Sequence, residues 1–136
     1  MLHAQGTRMK LRIRGNSLRL RISRSEVDRL VNDGRIEETT WLGRDDGSRM
    51  SYVLEHKAGA KAVDLRFDPP VLAVIVPTSQ VREWAAGNEV GIYTSLDLGT
   101  RGVLELVIEK DFACLHGTDE ENEDAFPNPN MAVRRS

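Results

Sequence analysis

The sequence predicts an α+β domain built from two tandem copies of a strand–strand–helix–strand–strand unit, forming an antiparallel sheet or barrel with two helices. Two observations lead to this prediction. Stretches that alternate apolar and charged residues are followed by a helical pattern and two further strands, and the same order occurs twice. The length of 136 residues and the hydrophobic content of 40% suit one such domain with one core.

The first unit opens with a hairpin that has two chemically different faces. Residues 10–14 and 18–22 alternate charged and apolar side chains, and Gly15-Asn16 between them supplies turn residues. A period of two places every second side chain on the same face of a strand. The expected buried face consists of Leu11, Ile13, Leu18, Leu20 and Ile22. The opposite face consists of Lys10, Arg12, Arg14, Arg19 and Arg21.

A helix follows the hairpin and has recognisable ends. Ser23 and Glu26 are spaced as in a capping box, in which the hydroxyl accepts the amide of Glu26 and its carboxylate reaches back to the amide of Ser23. Val27 and Leu30 fall on one face of the helix that follows. Gly34 is placed to end that helix.

The same order of elements recurs along the rest of the chain. A second helix is expected to begin at a Thr78 cap and to end at Gly87. It has the same position relative to its neighbouring strands as the first helix. The further predicted strands are 35–42, 50–56, 63–67, 72–76, 89–96 and 103–109.

The two units align with one another without a gap. Residues 10–57 match residues 64–111 at an offset of 54, with nine identities over 48 pairs. Roughly three identities are expected from ordinary composition. Chance alignment of two amphipathic patterns is the alternative, but a duplication also explains why turns and helix ends fall into register. The predicted organisation is an extension at 1–9, the duplicated domain at 10–115 and an acidic tail at 116–136.

This duplicated topology, counted from Leu18, resembles the CYTH or triphosphate-tunnel superfamily over about residues 10–115. The resemblance implies an antiparallel barrel with a charged tunnel, and many members of that superfamily bind or hydrolyse triphosphates with a divalent metal. Their hallmark strand reads Glu-x-Glu-x-Lys, whereas the corresponding strand here, residues 10–14, reads Lys-Leu-Arg-Ile-Arg. The chain is also similar to small bacterial proteins of unknown function, which imply a fold without an activity.

The cationic face of the hairpin is the main candidate for a binding site. A tight turn places Arg12 opposite Arg19. It places Lys10 opposite Arg21 in the same way, and like charges directly opposite one another destabilise a sheet. Such a face predicts a compensating anion, and the arginine fork suits phosphate because it can bond two oxygens at once. The predicted ligand-binding residues are Lys10, Arg12, Arg14, Arg19, Arg21, Glu37, Glu55, Arg66, Glu105 and Glu109.

Three functions are compatible with this face. The leading prediction is the binding of a phosphate-containing small molecule. The first alternative is an interaction or structural protein, in which the cations pair with acids of the same chain, including those at 119–124 in the tail. The second alternative is a metal-dependent phosphohydrolase, and its available carboxylates are Glu37, Glu55, Glu105 and Glu109. The question of enzymatic activity stays open, and the sequence names no cofactor.

The tail gives weaker signals. Cys114 and His116 precede five acids at 119–124, but their spacing matches no strong metal motif, and a simple acidic tail is the preferred interpretation. No metal site is predicted. Phe126 is an apolar residue in this polar run, so it is a candidate anchor that docks on the domain.

Composition narrows the class of protein further. No apolar run approaches the roughly 20 residues that span a bilayer, and the start lacks the apolar stretch of a secretory signal. These features predict a cytoplasmic protein that does not associate with membranes. Aromatic residues make up 5% of the chain, which disfavours the stacking platforms that bind single-stranded nucleic acid. Trp41 and Trp84 are expected in the core or at its rim, and His56 at the surface.

Overall fold

The computed structural model describes residues 8–111 and Phe126. Within this part of the chain, eight strands and two α-helices form in the predicted order, so the α+β class and the two repeated units are confirmed. Neither helix has the length and apolar composition that a membrane crossing requires. The elements are β1 (Lys10–Arg14), β2 (Ser17–Ile22), α1 (Arg24–Asp33), β3 (Arg35–Trp41), β4 (Arg49–Lys57), β5 (Asp64–Asp68), β6 (Val71–Pro77), α2 (Thr78–Ala86), β7 (Gly91–Asp97), a 3-10 turn (Gly99–Arg101) and β8 (Val103–Lys110).

The strands form two four-stranded sheets, and each sheet takes two strands from each unit. The first sheet has the order β1-β2-β8-β7, and the second has the order β3-β4-β6-β5. Pairing within each hairpin is antiparallel as expected, but the central pairs, β2 with β8 and β4 with β6, are parallel. The sequence pattern does not predict these parallel pairs because alternation reports which face of a strand is buried and not which strand lies beside it.

The two sheets are equivalent under the repeat. When each strand of one unit is replaced by its counterpart in the other unit, the strand order of one sheet becomes that of the other. Ser17 lies opposite Glu105 in the parallel pair of the first sheet, and Val71 lies opposite Ser51 in that of the second. Val71 follows Ser17 by 54 residues, and Glu105 follows Ser51 by the same number. The β1-β2 and β5-β6 hairpins pair in registers related by the same offset. These registers show the pseudo-twofold relation that the internal alignment predicts.

The gapless alignment fails at β7. Arg35 of β3 lies opposite Glu55 of β4. In the second unit, Gly91 of β7 lies opposite Glu109 of β8. Equivalent residues are therefore 54 positions apart between β4 and β8, but 56 positions apart between β3 and β7.

A longer connection after α2, partly offset by a helix one residue shorter than α1, explains this shift. Gly34 ends α1 in a left-handed conformation with φ of 87°, and β3 begins at the next residue. In the second unit, residues 87–90 separate α2 from β7. With the corrected offset, Ile36 and Ile92 occupy equivalent positions, and each is 5% exposed.

Both sheets and both helices contribute to one hydrophobic core. Leu20 and Ile22 of β2 are buried as predicted, with Leu11 and Leu18 packed at the margin. Ile13 does not follow the prediction, since its side chain is 59% exposed. It lies near the end of β1, an edge strand, where few neighbouring side chains can cover it.

The two tryptophans have different environments. Trp84 of α2 is 2% exposed, and its indole Nε1 donates to the carbonyl oxygen of Val90 at 3.2 Å. Trp41 is 60% exposed. The expectation of a core or rim position is therefore wrong for Trp41, which is the last residue of the edge strand β3.

A buried carboxylate joins the start of the fold to the first helix. The predicted capping box is present, with the amide of Ser23 donating to Glu26 Oε1 at 3.1 Å. The other carboxylate oxygen, Oε2, accepts the amide of Met9 at 2.6 Å. Met9 is 1% exposed and belongs to the core, although the sequence pattern places it in the N-terminal extension. Its carbonyl oxygen accepts the Tyr52 hydroxyl at 2.9 Å.

The second helix lacks the predicted cap. Pro77 occupies the N-cap position without a side-chain hydrogen bond, and Thr78 is the first helical residue. The Thr78 hydroxyl lies 2.8 Å from Nδ1 of His56 in a hydrogen bond. His56 is therefore half-buried rather than at the surface, and its Nε2 is buried without a hydrogen-bond partner among the described residues. Gly87 ends α2 as predicted.

Replacement of Glu26 by alanine should destabilise the fold, because it leaves the amide of Met9 buried without a partner. Loss of such a partner costs about 1–3 kcal/mol. The free energy of unfolding from chemical denaturation at neutral pH is expected to fall by about that amount. The matched control is Glu83→Ala, which removes an exposed carboxylate of α2, and surface changes of this kind stay within about 0.5 kcal/mol.

The effect of Glu26→Ala should also depend on pH. Burial raises the pKa of Glu26 above its ordinary value of 4.5, against hydrogen bonds from Ser23 and Met9 that lower it. In the window between the ordinary and the raised pKa, the folded state binds more protons than the unfolded state. The pH-dependent part of the Glu26 contribution is thus complete below pH 4.5 and is lost as the pH rises through the raised pKa, while the hydrogen bond to the Met9 amide persists to neutral pH. The stability gap between wild type and variant should narrow over this window, and a gap that widens contradicts the assignment.

Candidate functional site

The outward face of the first sheet brings together the five predicted cations. Lys10 lies opposite Arg21 across the β1-β2 pair. Arg12 lies opposite Arg19 in the same pair. Gly15 has a positive φ of 57°, which this tight turn requires. Arg14 completes the face at the turn end of β1.

Three of these five cations have a carboxylate close by. Nε of Arg21 donates to Glu109 Oε1 at 3.0 Å, and Nη1 of Arg19 lies 3.5 Å from the same oxygen. Nζ of Lys10 lies 3.1 Å from Asp111 Oδ2. The parallel pairing of β2 with β8 causes the first contact, because it places Arg21 directly opposite Glu109.

Arg12 and Arg14 differ from the other three cations. Among the residues that the structure describes, neither forms an ion pair. Together with Ser17 and Arg19 they line a depression of about 90 Å³, which we name the arginine depression. A depression of this volume has room for a few waters or for one small anion.

The arginine depression has the chemistry to bind an anion. A guanidinium group stays charged at every physiological pH and presents several N–H donors in a fixed plane. The Ser17 hydroxyl donates to the carbonyl oxygen of Arg14 at 2.6 Å, so its hydrogen is already used in holding the turn. Within residues 8–111, no group of three or more His, Cys, Asp or Glu side chains is arranged to hold a metal ion.

Glu105 is the predicted carboxylate that lies nearest to the arginine depression in sheet register. It is opposite Ser17 in the parallel pair of β2 and β8. Its Oε1 accepts a hydrogen bond from the Ser95 hydroxyl of β7 at 2.7 Å. This bond draws the carboxylate toward β7, on the side of β8 away from the arginines.

The other predicted residues lie on the second sheet. Glu37 pairs with Arg35 at 3.1 Å. Glu55 lies 3.8 Å from Lys57. Arg66 lies on β5. The four predicted carboxylates are therefore divided between the two sheets, because β4 and β8 are equivalent strands that enter different sheets.

The sequence matches the model of a known protein family. Residues 9–130 match DUF7009, described as a family of unknown function. The chain belongs to the DUF7009 family. No curated protein and no solved structure matches it.

Phe126 of this DUF7009 chain docks on the core. Its amide donates to the carbonyl oxygen of Asp111 at 2.9 Å, and its side chain packs against the buried residues. The predicted anchoring of Phe126 is confirmed. The other candidates in this part of the chain, Cys114, His116 and the acids at 119–124, lie outside the described residues.

Lys110 lies beside Phe126 and is a residue that the sequence reasoning missed. It is 6% exposed, and its Nζ donates to the carbonyl oxygen of Gly87 at 2.9 Å. The same Nζ lies 5.3 Å from the ring centre of Phe126 and 5.8 Å from that of Trp84. Burial lowers the pKa of Lys110, while the charge of Glu89 acts in the opposite direction. The sequence signal that could have identified it is the alternation in β8, which places Lys110 on the inward face at the end of the strand.

Replacement of Phe126 by alanine should lower the free energy of unfolding by about 1–3 kcal/mol, because it removes both apolar contact and the ring that faces Lys110. Phe126→Leu keeps much of the apolar contact and should recover part of this loss. Chemical denaturation measures both variants. A double-mutant cycle with Lys110→Met isolates the cation–π contribution, expected at about 0.5–2 kcal/mol. Strict additivity in that cycle would contradict the contact.

Proposed function

We propose that this DUF7009 protein binds a phosphate-type anion in the arginine depression. The observation that supports the proposal is a contrast within a single sheet face. Three of the five cations there have a nearby carboxylate, whereas Arg12 and Arg14 have no ion pair among the described residues. A bound anion supplies the counter-charge that the described part of the chain does not.

The electrostatics of the face favour a multiply charged anion. Side chains directly opposite one another in an antiparallel pair have Cβ atoms about 5 Å apart, so Arg12 and Arg19 repel each other. Two like charges at about 4 Å cost about 1 kcal/mol in bulk water and about 4 kcal/mol near a protein surface. A phosphate group between them replaces this repulsion with two attractions, and each guanidinium can bond two of its oxygens.

Arg19 is placed to contact both Glu109 and a bound anion. Its Nη1 lies 3.5 Å from Glu109, beyond the usual length of a hydrogen bond, while Arg21 holds the same oxygen at 3.0 Å. A small rotation of Arg19 toward an anion therefore leaves Glu109 with its main partner. The arginine depression thus combines two guanidinium groups that have no ion pair within the described residues with a third that is loosely held.

The double variant Arg12→Gln/Arg14→Gln tests the proposal. Phosphate, pyrophosphate and triphosphate should each raise the melting temperature of the wild type through binding linkage. In the double variant the apparent affinity should fall at least about tenfold, since charge-assisted bonds are lost. The matched control, Arg24→Gln/Arg82→Gln, removes two exposed helical arginines and should respond like the wild type. Equal responses in the two double variants would refute the proposal.

A second variant should change affinity in the opposite direction. Glu109→Gln removes the carboxylate that Arg19 and Arg21 share, so both guanidinium groups become available to the ligand. Pyrophosphate affinity measured by calorimetry at low salt is expected to rise, and the gain should shrink as salt screens the charges. A fall in affinity in a variant that retains its folded circular dichroism spectrum would count against the role of Glu109 as a competing counter-ion.

The interaction protein is the second candidate, and one observation favours it. Ile13 and Phe67 occupy equivalent positions on β1 and β5, and they are 59% and 58% exposed. Exposed apolar surface marks contact sites with other proteins when it is contiguous, and self-association through these two positions would make it so. Self-association in sedimentation that an Ile13→Ser/Phe67→Ser variant abolishes would support this candidate, and a concentration-independent monomer would not.

The metal-dependent phosphohydrolase implied by the CYTH resemblance has weaker support. Its four carboxylates are divided between the sheets, with Glu37 and Glu55 on one and Glu105 and Glu109 on the other. Anion binding is therefore the function that the geometry supports best.

A further inference from the structure

A larger cleft lies on the other sheet, away from the arginine depression. It has a volume of about 580 Å³ and lies between the linker that joins β4 to β5 and the outward faces of β5 and β6. We name it the linker cleft. Pockets of about 300–1,000 Å³ are typical of small-molecule sites. The lining residues that matter here are Ile75, Val63, Lys57, Lys61, Arg66 and Asp64.

The pseudo-twofold relation shows what is unusual about the floor of this cleft. Ile75 is the equivalent of Arg21, since each lies at the same register position in its hairpin. In the first sheet, Arg21 bonds Glu109 at 3.0 Å. In the second sheet, Ile75 is 5% exposed and the equivalent carboxylate, Glu55, lies 3.8 Å from Lys57 instead. An ion pair on one sheet is thus replaced by an apolar floor on the other.

The walls of the linker cleft combine apolar and cationic groups. Val63, 8% exposed, extends the apolar surface beside Ile75. Lys61 and Arg66 line the cleft and form no ion pair with any residue that the structure describes. The carboxylate of Asp64 accepts the amide of Leu65 at 2.8 Å, so one of its oxygens is already engaged.

We infer that the linker cleft is a second binding site, for an organic anion that carries a phosphate or carboxylate head on an apolar body. The body would lie over the floor of Ile75 and Val63 and against Ala60 and Ala62. These two alanines are more exposed and supply most of the apolar surface that a ligand can bury, at about 25 cal/mol per Å². The head would bond the guanidinium of Arg66 and the ammonium of Lys61, and charge-assisted bonds of this kind are among the strongest available. The site lies on a different sheet from the arginine depression and does not depend on the proposed function.

Octyl phosphate, used below the concentration at which it forms micelles, is the probe. Because its phosphate head also suits the arginine depression, calorimetry uses the full chain carrying Arg12→Gln/Arg14→Gln. Saturable binding is expected, with weaker binding of octanol and of inorganic phosphate, since each supplies half of the recognised chemistry. Addition of Lys61→Gln/Arg66→Gln to this chain should lower the affinity for octyl phosphate at least about tenfold, whereas addition of Arg24→Gln/Arg82→Gln should leave it within about twofold.

Nuclear magnetic resonance locates the probe independently of the variants. The amides of Ala60 and Ala62, which line the cleft, should shift on titration with octyl phosphate. No saturable binding, binding of octanol as tight as that of octyl phosphate, or equal affinity with and without Lys61→Gln/Arg66→Gln would each overturn the inference. Failure here leaves phosphate binding in the arginine depression untouched, because the two sites are tested with different variants.

Discussion

The parallel pairing of β2 with β8 and of β4 with β6 is the interaction on which the rest of the structure depends. Each unit supplies two hairpins, and an isolated two-stranded hairpin is at best marginally stable in water. The parallel pairs join hairpins from different units into two four-stranded sheets, whose inward faces share one core with both helices. Neither unit can therefore bury its apolar residues alone. Glu26 reinforces this arrangement where the first strand begins, since it ties the amide of Met9 to the cap of α1.

The same constraint determines which charges meet on the outward faces. The registers of the two parallel pairs are equivalent. Each position on the outward face of one sheet therefore has a counterpart on the other sheet, which a different side chain can occupy. Arg21 and Glu109 meet on one sheet, whereas Ile75 and Glu55 occupy those positions on the other. The two sheets repeat the same backbone arrangement but carry different outward side chains, so their surfaces differ in chemistry. One carries guanidinium groups, without an ion pair in the part of the chain that the structure describes, around a shallow depression; the other carries an apolar floor with a cationic wall.

Local sequence signals predicted the elements well because their physics is local. The alternation at residues 10–14, the capping box at Ser23 and Glu26, and the glycine at Gly34 each act within a few residues. Those signals also placed the five cations on one face of the hairpin. The exposure of Ile13 and Trp41 was not predictable in this way, because it follows from the edge position of their strands rather than from their own periodicity.

Which of the five cations pair with a carboxylate of residues 8–111 was equally inaccessible from sequence. It depends on Glu109 lying opposite Arg21, which requires the parallel partner of β2 to be known. The burial of Lys110 depends on Phe126, a distant residue in the sequence that packs over it.

Diffraction from crystals soaked in tungstate, a heavy-atom analogue of phosphate, tests the central claim most directly. An anomalous peak is expected within hydrogen-bonding distance of the guanidinium groups of Arg12 and Arg14, with Arg19 turned toward it. Tungstate peaks at other positions, with none in the arginine depression of molecules whose depression faces open solvent channels, would contradict the proposal that this face is an anion-binding site.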